Sequence, residues 1–117
     1  MLDHSSTPAA PVFKVDRFTV PGDALAPFIE RLQRINQALG ALPGCHQNLV
    51  LTGTSDTAEV SVVTIVAWAS AQSMAAAKAA MQQRYADEGF DPAAFMRTLG
   101  VRAEMGLYTN AVRAVAY

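Results

Sequence analysis

The sequence predicts an α+β domain with the element order β-α-β-β-α-β, and three features point to it. The run Val60-Ser61-Val62-Val63-Thr64-Ile65-Val66-Ala67-Trp68 is rich in β-branched residues and ends in the single tryptophan of the chain. Apolar residues at both odd and even positions mark a strand that is covered on both faces. Leu25, Phe28, Ile29, Leu32, Ile35 and Leu39 recur at helical spacing and make the apolar stripe of an amphipathic helix. Residues 53–58 (GTSDTA) have hairpin chemistry, so the strand before them turns straight back into the tryptophan strand.

Taken in order, residues 1–10 (MLDHSSTPAA) are small, polar and broken by proline, which predicts a disordered lead-in to a single domain over 11–117. Val12 to Val20 reads as the first strand, with Phe13, Val15, Phe18 and Val20 giving apolar contacts on both faces. Pro21-Gly22 stops it. Asp23 is the expected N-cap of the first helix, with Pro27 in the first turn, where a missing N–H costs least. Gly40 fits the end of that helix, and Leu42-Pro43-Gly44 is a turn. Cys45 to Thr52 forms the second strand, expected to carry Leu49 and Leu51 on one face and His46, Asn48 and Val50 on the other.

After Trp68, Ser70 or Ser73 caps a helix reaching about Asp87, with Met74, Ala77, Met81 and Tyr85 at helical spacing. Asp91 and Pro92 are the N-cap and first position of a short extra helix over Ala93–Leu99. Gly100 closes it, and Val101 to Val112 is the expected last strand, with Arg113–Tyr117 extending it onto a partner. Two split βαβ units of this kind make a ferredoxin-like plait: a four-stranded antiparallel sheet with both helices on one face. The other face keeps apolar residues, and each buried Val or Ile contributes roughly 1.5–3 kcal/mol, so a homodimer is expected to cover it.

Composition agrees. The chain has 117 residues, the size of one domain. Its 51% hydrophobic and 16% charged residues leave too little charge for a wholly wet surface. The net charge of −1 is scattered without a basic stripe, which argues against nucleic acid. Cys45, the single cysteine, excludes an internal disulfide and a Cys pair for zinc. No apolar stretch is long enough to span a membrane, and residues 1–10 lack the marks of a signal peptide, so the cytoplasm is the expected location. There is no Gly-rich phosphate loop, Ser-His-Asp set or cluster of metal ligands, so neither cofactor nor metal is expected.

The succession of strand, amphipathic helix, Leu42-Pro43-Gly44 turn, hairpin and Val63-Thr64-Ile65-Val66-Ala67-Trp68-Ala69-Ser70 resembles the antibiotic biosynthesis monooxygenase domain of the dimeric α/β-barrel superfamily. The resemblance covers nearly the whole chain after residue 11. It implies a homodimer whose two sheets face each other as a barrel, with a pocket between each sheet and its own helices. Members of that family include cofactor-independent oxygenases that turn anthrone- or quinol-like aromatics into quinones, haem-degrading enzymes and isomerases. The haem-degrading branch uses a histidine on the second helix, and Met74–Asp87 has none. The expected function is therefore cofactor-independent monooxygenation of an electron-rich aromatic. A non-catalytic dimeric module for a small hydrophobic ligand is the second reading, and an isomerase relying on His46 the third.

By the resemblance, Trp68 is the pocket tryptophan, able to stack on a flat substrate and donate one hydrogen bond; as a plain core residue it would plug the strand end. His46 and Asn48 could bind a phenolic oxygen or take its proton, and both could equally be solvated. Tyr108 shares one face of the last strand with Arg102, Glu104 and Gly106. Its hydroxyl could hydrogen-bond a quinol, and Arg102 could stabilise an oxyanion. Trp68, His46, Asn48 and Tyr108 are thus the expected catalytic set. Tyr85, Met81, Met105 and Phe28 are the expected substrate-binding set, the methionines softening an apolar cavity. Cys45 lacks a local cation other than His46 and makes a poor nucleophile.

Overall fold

In the computed structural model, which describes residues 10–53 and 57–112, two long strands form the centre of the molecule. β1 (Val12–Pro21) and β3 (Glu59–Trp68) pair antiparallel without a break, from Val12 opposite Trp68 to Pro21 opposite Glu59. β2 (Cys45–Thr52) adds to the outer side of β3, and β4 (Arg102–Tyr108) to the outer side of β1. The order β2-β3-β1-β4 is that of the ferredoxin-like plait. The two β-branched, apolar strands are central because only there are both backbone edges paired and both faces available for packing.

Three helices complete the fold: α1 (Leu25–Gly40), α2 (Ala71–Glu88) and α3 (Pro92–Leu99). Ser70 caps α2 by accepting from the Ser73 backbone N–H at 3.0 Å. Asp91 does the same for α3, accepting from Ala93 and Ala94. Gly89 and Gly100 end these two helices at positive φ, and the next residue folds back in each case. Phe90 N–H donates to Tyr85 O, and Val101 N–H donates to Met96 O.

The strand alternation sorts the sheet into two faces. Val12, Phe18, Val20, Val62, Val66 and Trp68 point at the helices and are buried. They form two apolar clusters. Phe18, Val20 and Val62 pack with Ala24 and Phe28 at one end. Val12, Val66 and Trp68 pack with Ala77 at the other, against Leu39, Leu42, Cys45 and Met74. Phe28 links three elements: its ring lies edge-on to Phe18 at 5.1 Å and stacks on Phe95 of α3 at 6.4 Å. On the opposite face Phe13, Val15, Leu49, Val63 and Ile65 are only half-buried, Leu51 is exposed, and Ala67 alone is buried.

Several expectations are corrected. Asp23 does not cap α1: residues Gly22–Ala24 form a 3₁₀ turn, so Asp23 is already helical and α1 begins from Ala24 without a side-chain cap. The last strand is shorter than Val101–Val112. Val101 is held by the α3 cap, and beyond Tyr108, which lies opposite Phe13, β1 offers almost no further partner. A bulge between Cys45 and Gln47 makes His46 an extra residue in β2, so the even alternation expected for His46, Asn48 and Val50 holds only from Asn48 onward. The expected N-terminal disorder (residues 1–9) and the C-terminal strand extension (113–117) lie outside the described residues, as do hairpin residues 54–56.

Because Phe28 is 2% exposed and in contact with both β1 and α3, Phe28→Ala is expected to cost about 3–5 kcal/mol in urea-induced unfolding.

Candidate functional site

The helix-facing side of the sheet would be uniformly apolar but for a polar break between its two clusters. On β1 the positions between Val12 and Phe18 that face the helices are Lys14 and Asp16. Lys14 lies opposite Val66 on β3 and Leu107 on β4; Asp16 lies opposite Thr64 and Met105. Lys14 Nζ donates to Asp16 Oδ1 at 2.5 Å and approaches Met105 Sδ at 3.7 Å. Gly106 N–H points at the same Asp16 oxygen, at 3.4 Å. Met105 and Leu107 flank the pair on β4 and are 58% and 56% exposed, so the helices leave this side of β4 uncovered.

Trp68 closes one end of this break. It is 3% exposed, with its ring in the second apolar cluster. Among the described residues its indole N–H makes no hydrogen bond, and no buried side-chain nitrogen or oxygen is left without a partner. Thr64, two positions before Val66 on the same face and opposite Asp16, is half-buried.

Asn48 also faces the helices, opposite Val66, and its Nδ2 donates to Asn36 O of α1 at 2.7 Å. One amide N–H is thus committed to holding β2 against α1, while Oδ1 and the second N–H are not. His46 is exposed on the bulge. Tyr108 is exposed on the opposite face of the sheet from Trp68, so the structure does not bring these two together. Arg102, on that same opposite face, is paired with Glu59 at 3.2 Å. The Cys45 thiol donates to Gln47 O, and burial pushes its pKa up, which keeps it protonated.

Of the expected substrate-binding residues, Phe28 is sealed in the first cluster, whereas Met105 lies beside Lys14. Met81 and Tyr85 line a separate open groove between α1 and α2, with Arg31, Ile35 and Arg84. The groove continues past Ala38 and Leu42, where its volume is about 340 Å³. There the Arg31 guanidinium lies 3.9 Å above the Phe90 ring and 3.9 Å from Glu88 Oε1. Tyr85 meets Phe90 edge-on at 5.3 Å.

Lys14, Asp16 and Thr64 are absent from the sequence-based site. The signal for the first two is nevertheless present: in strand alternation they fall among Val12, Phe18 and Val20, two charges on a face otherwise apolar. Among the described residues no three His, Cys, Asp or Glu side chains cluster as metal ligands, and no helix is long and apolar enough to cross a membrane.

Comparison with known proteins adds to this geometry. A family model described as antibiotic biosynthesis monooxygenase matches residues 11–88. SnoaB, a cofactor-independent oxygenase from Streptomyces nogalater, is 27% identical with a TM-score of 0.65, over 90% of this chain and 97% of its own. A chain from Shewanella loihica PV-4 is 21% identical with a TM-score of 0.68, over 91% of this chain and 98% of its own. A dimeric ferredoxin-like protein from an uncultured marine organism is 10% identical with a TM-score of 0.65, over 89% of this chain and 99% of its own. The last two share the fold. No curated protein matches the sequence.

Burial raises the Tyr85 pKa above its ordinary value of 10.0, outweighing the opposing pull of Arg31. The unfolded chain then loses this proton first, so the stability tied to Tyr85 is intact below about pH 10 and lost as pH rises beyond it. Unfolding free energies measured from pH 9 to 11 are expected to fall more steeply for the wild type than for Tyr85→Phe.

Proposed function

The chain belongs to the antibiotic biosynthesis monooxygenase family, and from that premise we propose that it is a cofactor-independent oxygenase of an electron-rich, anthrone- or quinol-like aromatic. The observation that carries this reading is the polar interruption of the helix-facing core by Lys14, Asp16 and Thr64, next in register to the Val12, Val66 and Trp68 cluster, whose indole N–H has no partner among the described residues. SnoaB, which has this fold and 27% identity, is a cofactor-independent oxygenase.

In the reaction, the ionised substrate gives one electron to O2, leaving a substrate radical and superoxide. These recombine into a carbon–oxygen bond. The peroxide anion takes back the proton the substrate had given up, and the hydroperoxide then loses water with the hydrogen of the same carbon, so one oxygen atom stays as a ring carbonyl and the other leaves as water. The substrate supplies the electrons, and the protein holds the anion, orients its reacting carbon and keeps bulk water out. Trp68 supplies a flat wall and a hydrogen-bond donor to the substrate oxygen, and Asn48 an amide oxygen and N–H. His46 and Tyr108, exposed on the bulge and on the opposite face, have no part in this step.

A second copy of the chain covers the open sheet face. Leu49, Ile65 and Val15 lie in one register row there and Leu51 and Val63 in the next, an apolar strip that a two-fold partner would match with its own. The ferredoxin-like neighbour from the marine organism, of the same fold, is itself dimeric.

Oxygen-electrode assays with 1,8-dihydroxyanthrone and a naphthohydroquinone, on chelator-treated protein, test the activity. Saturable uptake above autoxidation is expected, with kcat/KM reduced roughly tenfold to a hundredfold in Trp68→Phe, the cost of one hydrogen bond to a charged oxygen. Uptake no faster than autoxidation for every substrate would favour a ligand-binding module. For the dimer, Ile65→Lys places like charges near the two-fold axis, and light scattering after gel filtration is expected to show a monomer; an intact dimer would put the interface elsewhere.

A further inference from the structure

Lys14 and Asp16 are where the fold departs furthest from what packing alone favours. Every other β1 side chain on the helix-facing side is apolar and buried, yet these two charges occupy its centre with only 36% and 16% of their side chains exposed. Shielding a charged pair from water is unfavourable before its mutual attraction is counted, and well-packed apolar residues serve a core at least as well. Charged groups kept at the centre of an otherwise apolar sheet face are candidates for chemistry.

Their surroundings define what they would bind. The Lys14 ammonium has three donors; Asp16 takes one, the soft Met105 sulfur lies near another, and the third is unused. The Asp16 carboxylate accepts from Lys14 and, at 3.4 Å, from Gly106 N–H, which leaves acceptor capacity on its second oxygen. The adjoining β4 positions on the same face, Met105 and Leu107, are apolar, more than half exposed and uncovered by any helix. A cation and a proton acceptor thus stand at the edge of a flat apolar patch, a combination suited to an aromatic ring carrying an acidic hydroxyl.

Building on the oxygenase reading, we propose that Lys14 and Asp16 ionise the substrate: an aryl hydroxyl gives its proton to Asp16, and Lys14 Nζ holds the phenolate, with the ring on Met105 and Leu107. The O–H bond of the substrate breaks, an O–H bond forms on the Asp16 carboxyl, and the electron pair stays on the phenolate oxygen, so no oxidant is involved in this step. An ammonium this close strengthens a bound acid roughly 10- to 1,000-fold. Electron transfer to O2 then starts from the anion.

The probe is 1,8-dihydroxyanthraquinone, whose visible spectrum reports ionisation of its hydroxyl and which has no carbon left to oxygenate. Its acid constant is expected to rise at least about tenfold on binding the wild-type protein. That rise should vanish in Lys14→Met and persist in Lys14→Arg, which keeps the charge; circular dichroism shows whether each variant is folded. Failure of the dye to bind, binding with no change in acid constant, or an unchanged response in folded Lys14→Met would each overturn the proposal. The oxygenase reading stands or falls separately. Protein that ionises the dye without accelerating oxygen uptake would refute the oxygenase and keep the site. Folded Lys14→Met that oxidises 1,8-dihydroxyanthrone at the wild-type rate would do the reverse.

Discussion

The uninterrupted pairing of β1 with β3 is the constraint on which the rest of the molecule depends. Ten residue pairs in register, from Val12–Trp68 to Pro21–Glu59, decide which side chains of the two central strands point at the helices. Strand side chains alternate, so a slip of one residue would exchange the faces. A one-residue slip of β1 would bring Phe13 and Val15 under the helices and move Phe18 and Val20 to the outside. The helix-facing core, the polar break within it and the apolar outer strip are three consequences of one register.

That register also separates two kinds of burial. Toward the helices, Phe28 and Phe95 close over Phe18 at one end, and Met74, Ala77 and Leu39 close over Trp68 and Val66 at the other. Between them lie Lys14, Asp16 and Thr64, on the part of the sheet nearest the uncovered β4 edge. On the outer face the apolar side chains are only half-buried by one another. Exposed ion pairs such as Arg102–Glu59 and Arg84–Glu88 add little to stability at this degree of solvation, so the apolar clusters hold the fold.

Much of the architecture was legible because it rests on local signals. Helical spacing from Leu25 to Leu39, the Ser70 and Asp91 caps, and Gly100 at the end of α3 each act within a few residues and appear where expected. The misjudged places are those where a neighbour intervenes. Asp23 has cap chemistry but falls in a 3₁₀ turn whose Gly22 N–H is bonded to Ala58 O across the sheet. His46 was assigned a face by simple alternation, which a bulge against β3 undoes. The candidate site divides in the same way. Trp68 is marked by its position at a strand end and by family resemblance, whereas Lys14 and Asp16 lie on a strand whose apolar residues alone already account for it.

The sequence by itself determined the element types, their order, the antiparallel hairpin and the existence of a strand apolar on both faces. These follow from the period of apolar residues and from caps and turns, which are properties of short segments. Only the tertiary structure decided which distant residues meet. Lys14 meets Met105 across 91 positions of sequence, Asn48 reaches the Asn36 carbonyl on another element, and Tyr108 is turned away from Trp68. Such encounters depend on strand order and on how far the helices extend across the sheet, and no local pattern encodes either one.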